Sequence, residues 1–323
     1  MSYKTVIIGL GNIGLKYDYN FDHSEYILTH SQAVNAHPDF ELVAGFDTNI
    51  INREQFEKKF KRPSYSKLDS LNNISEIDVV VISVPTEFHL DAVKKVFKFS
   101  RPNLILIEKP LAFSMEDAQK ILLTTKENNI PILVNYIRNF EPKHIEFMKN
   151  LKKGSLGFPL SITCFYNGGL INNLSHVLNM LNKFMGKSVK IKIYDKGEAY
   201  NKYDYEPGFI INYEKGSVNF SPLKNLTYSI IELDIFGPKG RYNYKGHGLF
   251  SRWIIEKDPI FKGYKRLSRD FKTWNSSMYR YQYFIYENIK NFFQKQCKLR
   301  CSENDATSIS TLLNEIIQEI KKT

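Results

Sequence analysis

Gly9-Leu10-Gly11-Asn12-Ile13-Gly14 follows directly on the apolar run Thr5-Val6-Ile7-Ile8. After a strand, each glycine in this spacing has a physical task. The first allows a tight turn, the second lets the main chain approach a pyrophosphate, and the third permits close packing of helix on strand. Gly9, Gly11, Asn12, Ile13 and Gly14 therefore form a candidate phosphate-binding loop. Such a loop works with an acidic residue at the end of the next strand, which binds the adenosine ribose; Asp47, closing the run 42–46, fits. A carboxylate there repels a 2′-phosphate, so NAD is favoured over NADP, with Arg53 nearby tempering the preference.

Further chemically capable residues close the later apolar runs. Pro85, Thr86 and His89 follow the third, and Glu108-Lys109-Pro110 follows the fourth. Ligands of open α/β sheets bind beyond the carboxyl ends of strands, which makes Pro85, Thr86, His89 and Glu108 candidate cofactor contacts. Lys109 is the candidate acid/base group and a substrate contact: burial and nearby dipoles can lower an amine toward neutrality, which suits proton transfer from an alcohol. A surface lysine at the start of a loop is the plainer alternative. After the fifth run, Tyr136 and Arg138 are candidate contacts to a sugar or anionic substrate, with Asn135 supporting Lys109. Ordinary loop structure after a strand is the competing account of these three. His176 lies in a helical stretch after the Gly168-Gly169 turn; taken alone, such a histidine is usually structural.

These residues need a scaffold that alternates strands and helices. Strand-like runs occupy 5–8, 40–46, 78–84, 103–108 and 131–135, with helical patterns at 31–37, 52–60, 90–99 and 115–128 between them. Near-continuous Val/Ile runs separated by helices indicate a parallel sheet covered on both faces. Beyond 139 the pattern changes. A helix over 142–152, a strand over 160–166 and a helix over 174–184 precede strand-like alternations at 189–194, 209–213, 217–220, 229–236 and 241–244. Strands without intervening helices predict an antiparallel open sheet. Helices over 277–293 and 304–321 close the chain. The fold class is α/β: a Rossmann domain over 1–122, then an α+β domain over 123–323 with a large, mostly antiparallel open sheet, for substrate binding and oligomerisation. The last helix, 304–321, can pack back. Asp47 follows Gly14 by 33 positions (47 − 14) against the usual ~20, which identifies residues 15–29 as an insertion, either a lid or an idle surface loop.

Composition narrows the function classes. The chain of 323 residues, 42% of them hydrophobic, supports two globular domains. No stretch reaches the ~20 apolar residues of a membrane span. Met1-Ser2-Tyr3-Lys4 runs straight into the first strand, leaving no room for a secretory signal, so a cytoplasmic location is expected. Cys164, Cys297 and Cys301 have no paired metal-ligand spacing; reduced thiols and no metal are expected. The net charge of +11 is spread along the chain without a nucleic-acid-binding signature, so no nucleic-acid partner is expected. Such a field would help collect anionic substrates such as nucleotide sugars.

In their order along the chain, several motifs resemble the Gfo/Idh/MocA family of oxidoreductases. They are the glycine loop, Asp47, Pro85-Thr86 with His89, Glu108-Lys109-Pro110, residues 135–142, 154–157 and 168–176. The resemblance implies a Rossmann domain followed by a large-sheet domain that often forms the oligomer interface, hence a homodimer or homotetramer. It further implies that Lys109, in a cis Lys-Pro bond, and His176 are the catalytic pair. Many members carry an aspartate three or four positions before that histidine; here Asn173 and Asn172 stand there as substrate contacts, although some members acting on nucleotide-linked amino sugars have asparagine nearby. An amide cannot take a hydroxyl proton at neutral pH, which moves proton transfer onto Lys109 and His176. The implied activity is NAD(P)-dependent oxidation of a sugar or nucleotide sugar in carbohydrate or surface-polysaccharide metabolism. The alternatives are a catalytically silent NAD- and sugar-sensing protein of the same fold, and a lyase or glycosidase with transient redox.

Overall fold

β-Branched side chains pack well on a pleated surface buried on both faces, and Val and Ile fill the early apolar runs. In the computed structural model, which describes residues 2–323, the five runs are β1 (Tyr3–Ile8), β2 (Phe40–Phe46), β4 (Val79–Ile82), β5 (Leu104–Ile107) and β6 (Ile132–Val134), and a two-residue strand absent from the sequence reading, β3 (Ser64–Tyr65), joins them. They form one parallel sheet in the order β3-β2-β1-β4-β5-β6. This is the doubly wound dinucleotide-binding order, with its crevice where the connection reverses between β1 and β4. Every residue of β4 and β5 is buried. The intervening helices are α1 (His30–Ala36), α2 (Ile50–Phe60), α3 (His89–Phe99) and α4 (Met115–Glu127). Their starts carry sequence-coded caps: the side chains of Thr29, Asn49 and Ser114 accept from main-chain N–H groups of α1, α2 and α4.

The following elements are α5 (Pro142–Lys152), β7 (Leu160–Tyr166), α6 (Ser175–Leu181), β8 (Ser188–Asp195), β9 (Ala199–Asn201), β10 (Asp204–Tyr205), β11 (Gly208–Tyr213), β12 (Gly216–Pro222), β13 (Ile231–Gly237), β14 (Gly240–Lys245), β15 (Leu249–Lys257), β16 (Lys265–Leu267) and β17 (Lys272–Asn275). Nine of these strands make one sheet, β16-β15-β14-β13-β7-β12-β11-β8 with β17 paired to β15, while β9 and β10 form a separate hairpin. All pairings in the large sheet are antiparallel except β7 with β12. One face is a core of Phe209, Phe220, Leu233, Ile235, Tyr242, Tyr244 and Phe250. The chain ends in α7 (Tyr281–Phe293) and α8 (Glu303–Lys322). The fold class read from the sequence is the one observed.

Compact units divide the chain after Phe140, not between 122 and 123, and Tyr279–Thr311 returns to the first unit. The physical reason is β6, whose hydrogen bonds to β5 bind residues beyond 122 into the parallel sheet. The insertion at 15–29 is a tethered loop within the first unit. Asp18 is fully buried and accepts from Leu28 N, Thr29 N and Thr29 Oγ1 at 2.7, 3.1 and 2.7 Å. Ile27 N donates to Tyr279 O, Arg280 donates to Ser24 O, and Lys59 Nζ donates to Tyr19 O. Anchors at both flanks argue against a swinging lid. Among the described residues, no helix is long and apolar enough to cross a membrane.

Candidate functional site

The glycine loop is held by its own sequence. Gly9 has φ of +97°, and a Cβ there would meet the main chain of Ser83 at 2.6 Å. A Cβ on Gly14 would meet Gly9 O at 2.0 Å, so the third glycine is required by the closeness of the first. Gly11 differs: nothing lies within 4 Å of where its Cβ would be. The space beside the second glycine is open, as close approach of a pyrophosphate requires. Ser83 Oγ donates to Gly9 O at 2.8 Å and Ser31 Oγ to Gly14 O at 2.7 Å, which locks the loop. Asn12 and Ile13 begin a single wide helical turn, Asn12–Lys16, and α1 starts only after the insertion.

Asp47, at the end of β2, braces this loop. Its Oδ2 accepts from Leu10 N at 2.8 Å and Asn52 Nδ2 at 3.0 Å, and its Oδ1 accepts from Asn49 N at 2.8 Å. The Arg53 guanidinium donates to the main-chain oxygens of Asp47 and Thr48. Gly9, Gly11, Asp47 and Pro85 line one cavity of about 830 Å³ at the carboxyl ends of β1, β2 and β4. Sequence reasoning missed several of its walls: Asn52, Leu68, Phe88 and Lys95. The signal for them was position, since each lies just after a strand end or in the helix that follows one. Asn52 Oδ1 is buried and has no hydrogen-bond partner among the described residues. A buried acceptor at a cavity wall lacks only a donor, and a ligand can supply one. The residues present thus fit a dinucleotide: an open pyrophosphate approach, a carboxylate at the ribose position, an orphaned acceptor and apolar walls from Leu68 and Phe88. Thr86, Asn12 and Ile13 are not among the lining residues.

His89 does not offer the expected cofactor contact. It is 1% exposed, with Nε2 3.0 Å from Val84 O and Nδ1 3.1 Å from Leu111 O. Burial pushes its pKa down despite those carbonyls. The ring staples two strand-end turns together.

Glu108 and Lys109 sit at the end of β5, and the Lys109–Pro110 bond is cis. The buried Glu108 carboxylate takes His30 Nε2 at 2.8 Å and Asn135 Nδ2 on Oε1, and Lys109 N at 3.3 Å on Oε2. Burial alone would raise its pKa, but the hydrogen bond and electrostatic pull of His30, the bond from Asn135 and the charge of Lys109 prevail and hold it below the usual carboxylate range. Asn135 Nδ2 also donates to Gln282 Oε1 at 3.2 Å. Asn135 is thus linked to the residue before Lys109 through the Glu108 carboxylate. His30 and Gln282 were not legible as site residues, because the insertion hides the first and the second enters from α7. Tyr136 is 2% exposed, and Arg138, like His176, is buried. Burial raises the Tyr136 phenol far above its ordinary pKa.

In the second unit, His176 is the second residue of α6 and is 6% exposed. The preceding turn is held by two carboxylates from the β9–β10 hairpin and its exit. Asp204 accepts from Ile171 N at 2.9 Å and Asn172 N at 2.8 Å, and Glu206 Oε1 accepts from Gly168 N and Gly169 N. Asn172 Nδ2 donates to Gly168 O at 3.0 Å, and Asn173 Nδ2 donates to Asn167 O at 2.7 Å. Both amides use their N–H groups to close the loop, a task a carboxylate cannot perform because it has no proton to give. This explains why asparagine stands at both places. The first unit thus gathers the cofactor residues and the Glu108–Lys109 network, and the second gathers Asn172, Asn173 and His176.

Residues 3–136 match the oxidoreductase family with an NAD-binding Rossmann fold. Inositol 2-dehydrogenase of Salmonella typhimurium is 23% identical over 163 residues, covering 50% of this chain and 45% of the relative. The chain thus matches less than half the length of that relative. Among solved structures, the super-repressor mutant of Gal80p from Saccharomyces cerevisiae superposes with a TM-score of 0.81 at 14% identity, covering 100% of this chain and 97% of the other. The WlbA dehydrogenase of Bordetella pertussis, in complex with NADH and UDP-GlcNAcA, does so with a TM-score of 0.75 at 15% identity, covering 99% and 96%. At these identities the structures show the fold alone.

Proposed function

With residues 3–136 belonging to the Gfo/Idh/MocA oxidoreductases, whose Rossmann fold binds NAD, we propose that this protein is an NAD-dependent dehydrogenase of a sugar or nucleotide-linked sugar. The observation that carries the reading is Lys109, which directly follows a buried, hydrogen-bonded carboxylate at the end of β5, in the sheet whose other strand ends carry the glycine loop and Asp47. Gly9, Gly11, Asp47, Pro85 and Phe88 would hold the dinucleotide. When bound, its nicotinamide accepts or returns a hydride at a sugar carbon. Lys109 exchanges the hydroxyl proton at its Nζ, and His176 is the second proposed proton-handling group. The glycine loop and Asp47 orient, and the apolar walls of the cavity exclude water. The net charge of +11 favours an anionic substrate such as a nucleotide sugar. Both asparagines of the α6 turn donate to main-chain oxygens of that loop, which gives them a structural task beside the proposed contact to substrate.

We further propose a cytoplasmic homodimer or homotetramer. Exposed Phe236 and Ile254 on the open sheet suit such an interface, and light scattering would measure the assembly.

The test is spectroscopic. Purified protein is given NAD with UDP-, GDP- and CMP-sugars, inositols and hexoses, and reduced nicotinamide is followed by absorbance. Reduction with one substrate class supports the reading. NAD binding without oxidation of any of them would favour a sensing role.

A further inference from the structure

His30 opens α1, is fully buried, and reaches three polar groups in its own unit, Gln282 Nε2 at 3.3 Å from its Nε2 among them. Its Nε2 lies 2.8 Å from Glu108 Oε1, and its Nδ1 lies 3.1 Å from Tyr286 Oη on α7. Burial holds the Tyr286 phenol well above its ordinary pKa, so its proton stays in place and can point at Nδ1. Nε2 faces a carboxylate that can only accept, so it is the ring nitrogen that donates to Glu108. Asn135 donates to the same oxygen, and the Lys109 main chain donates to the other. Donors from α1, from Asn135 just after β6 and from the main chain thus converge on one buried carboxylate immediately before Lys109.

We infer that His30 is a positioning residue for the Lys109 amine, acting through the Glu108 carboxylate. Its functional meaning rests on the dehydrogenase reading. A buried anion satisfied by several hydrogen-bond donors draws less on a neighbouring cation. Without the His30 donor, Oε1 keeps only Asn135, and the under-bonded anion turns to the ammonium one residue along the chain. The Lys109 charge, which already acts on Glu108, is then held more strongly, and the amine keeps its proton to higher pH, where it no longer serves as a base. The other titratable groups facing Glu108 are Tyr281 and Tyr286 from α7 and His89 from α3. Both phenols stay protonated, and His89 is occupied by two carbonyls, so Lys109 is the group that responds.

The experiment is competitive acetylation of the full chain across roughly pH 6 to 11, with the Lys109 peptide quantified by mass spectrometry. The midpoint of its reactivity reports the amine directly. In His30→Phe it is expected to rise by about one unit, a loss of about tenfold in reactivity at a fixed pH below both midpoints. His30→Gln, which keeps an amide N–H, is expected to bring it most of the way back, and Glu108→Gln to lower it. Tyr286→Phe removes only the bond to Nδ1 and is expected to raise it by less. If His30→Phe does not fold by circular dichroism, Tyr286→Phe decides. A midpoint that neither variant raises would overturn the assignment. Labelling needs neither nicotinamide nor sugar, so its outcome is independent of whether the dehydrogenase reading holds.

Discussion

The main-chain N–H of Leu10 donates to the Asp47 carboxylate across 2.8 Å, tying the glycine loop to the end of β2. With Asn49 N and Asn52 Nδ2 as further donors, three of the roughly four lone-pair sites of that carboxylate are used by the protein. Asp47 is therefore a brace of the loop, with little acceptor capacity left for the ribose contact proposed for it. Asp47→Ser shortens the side chain and removes the charge. Its NAD affinity is expected to fall about tenfold, or about 1.4 kcal/mol, while NADP gains relative to NAD beside Arg53. Quenching titrations with both reduced nucleotides measure the ratio, and an unchanged ratio would count against Asp47 as the selectivity residue.

Gly11 and Gly14 separate binding from folding. Gly14→Ala places a methyl 2.0 Å from Gly9 O and is expected to destabilise the first unit by more than about 3 kcal/mol. Gly11→Ala meets nothing within 4 Å in the protein and is expected to keep the urea midpoint within about 0.5 kcal/mol. It should still weaken NAD binding at least about tenfold, because the methyl stands in the open approach to the loop. Full NAD affinity in Gly11→Ala would mean that the pyrophosphate lies elsewhere.

The residues 15–29 insertion depends on one buried carboxylate. Asp18→Ala would orphan Leu28 N, Thr29 N and Thr29 Oγ1 together. Unsatisfied buried donors cost about 1–3 kcal/mol each, partly relieved by water, so a loss of about 2–4 kcal/mol in chemical denaturation is expected. A loss under about 0.5 kcal/mol would show the loop to be idle.

Local periodicity carried the parallel sheet, because Val/Ile runs of strand length leave little choice of conformation. The cofactor loop was equally legible, since each glycine answers a local geometric demand. What stayed hidden depends on distant partners. The polar, tyrosine-rich β9 and β10 lack alternation, yet they bring Asp204 to the α6 turn. Tyr136 and Arg138 follow a strand, as substrate contacts often do, but tertiary packing encloses them. His30 joins Glu108 across 78 positions, and no spacing rule reaches that far.

The α6 turn should reject a carboxylate where it now holds an amide. In Asn173→Asp the side chain would face Asn167 O, at present 2.7 Å from a donating N–H, with no proton to offer. A loss of about 1–3 kcal/mol in denaturation midpoint and a lower turnover are expected, with no gain in proton transfer. Rising activity in Asn173→Asp would show that the position carries chemistry and not closure.

Acid sensitivity should begin near neutrality and trace to buried histidines. His89 is held below its ordinary 6.5, first by burial, so the unfolded chain binds a proton there before the folded chain does. Stability therefore rises with pH from the folded pKa up to 6.5 and is lost as pH falls through that window, by at most about 1.4 kcal/mol per unit. His37 is shifted in the same direction, also first by burial, but it is less enclosed. Glu108 and Glu141 sit below the ordinary 4.5, so their stabilising share is complete above that value and is lost only at lower pH. The histidines thus dominate between about pH 7 and pH 5. His89→Gln cannot titrate, and its amide N–H can still serve one of the two carbonyls. It is expected to be less stable than wild type near neutrality but to lose less on acidification. Urea unfolding at about pH 7.5 and 5.5 measures both slopes, and equal slopes in the two proteins would remove His89 as the source.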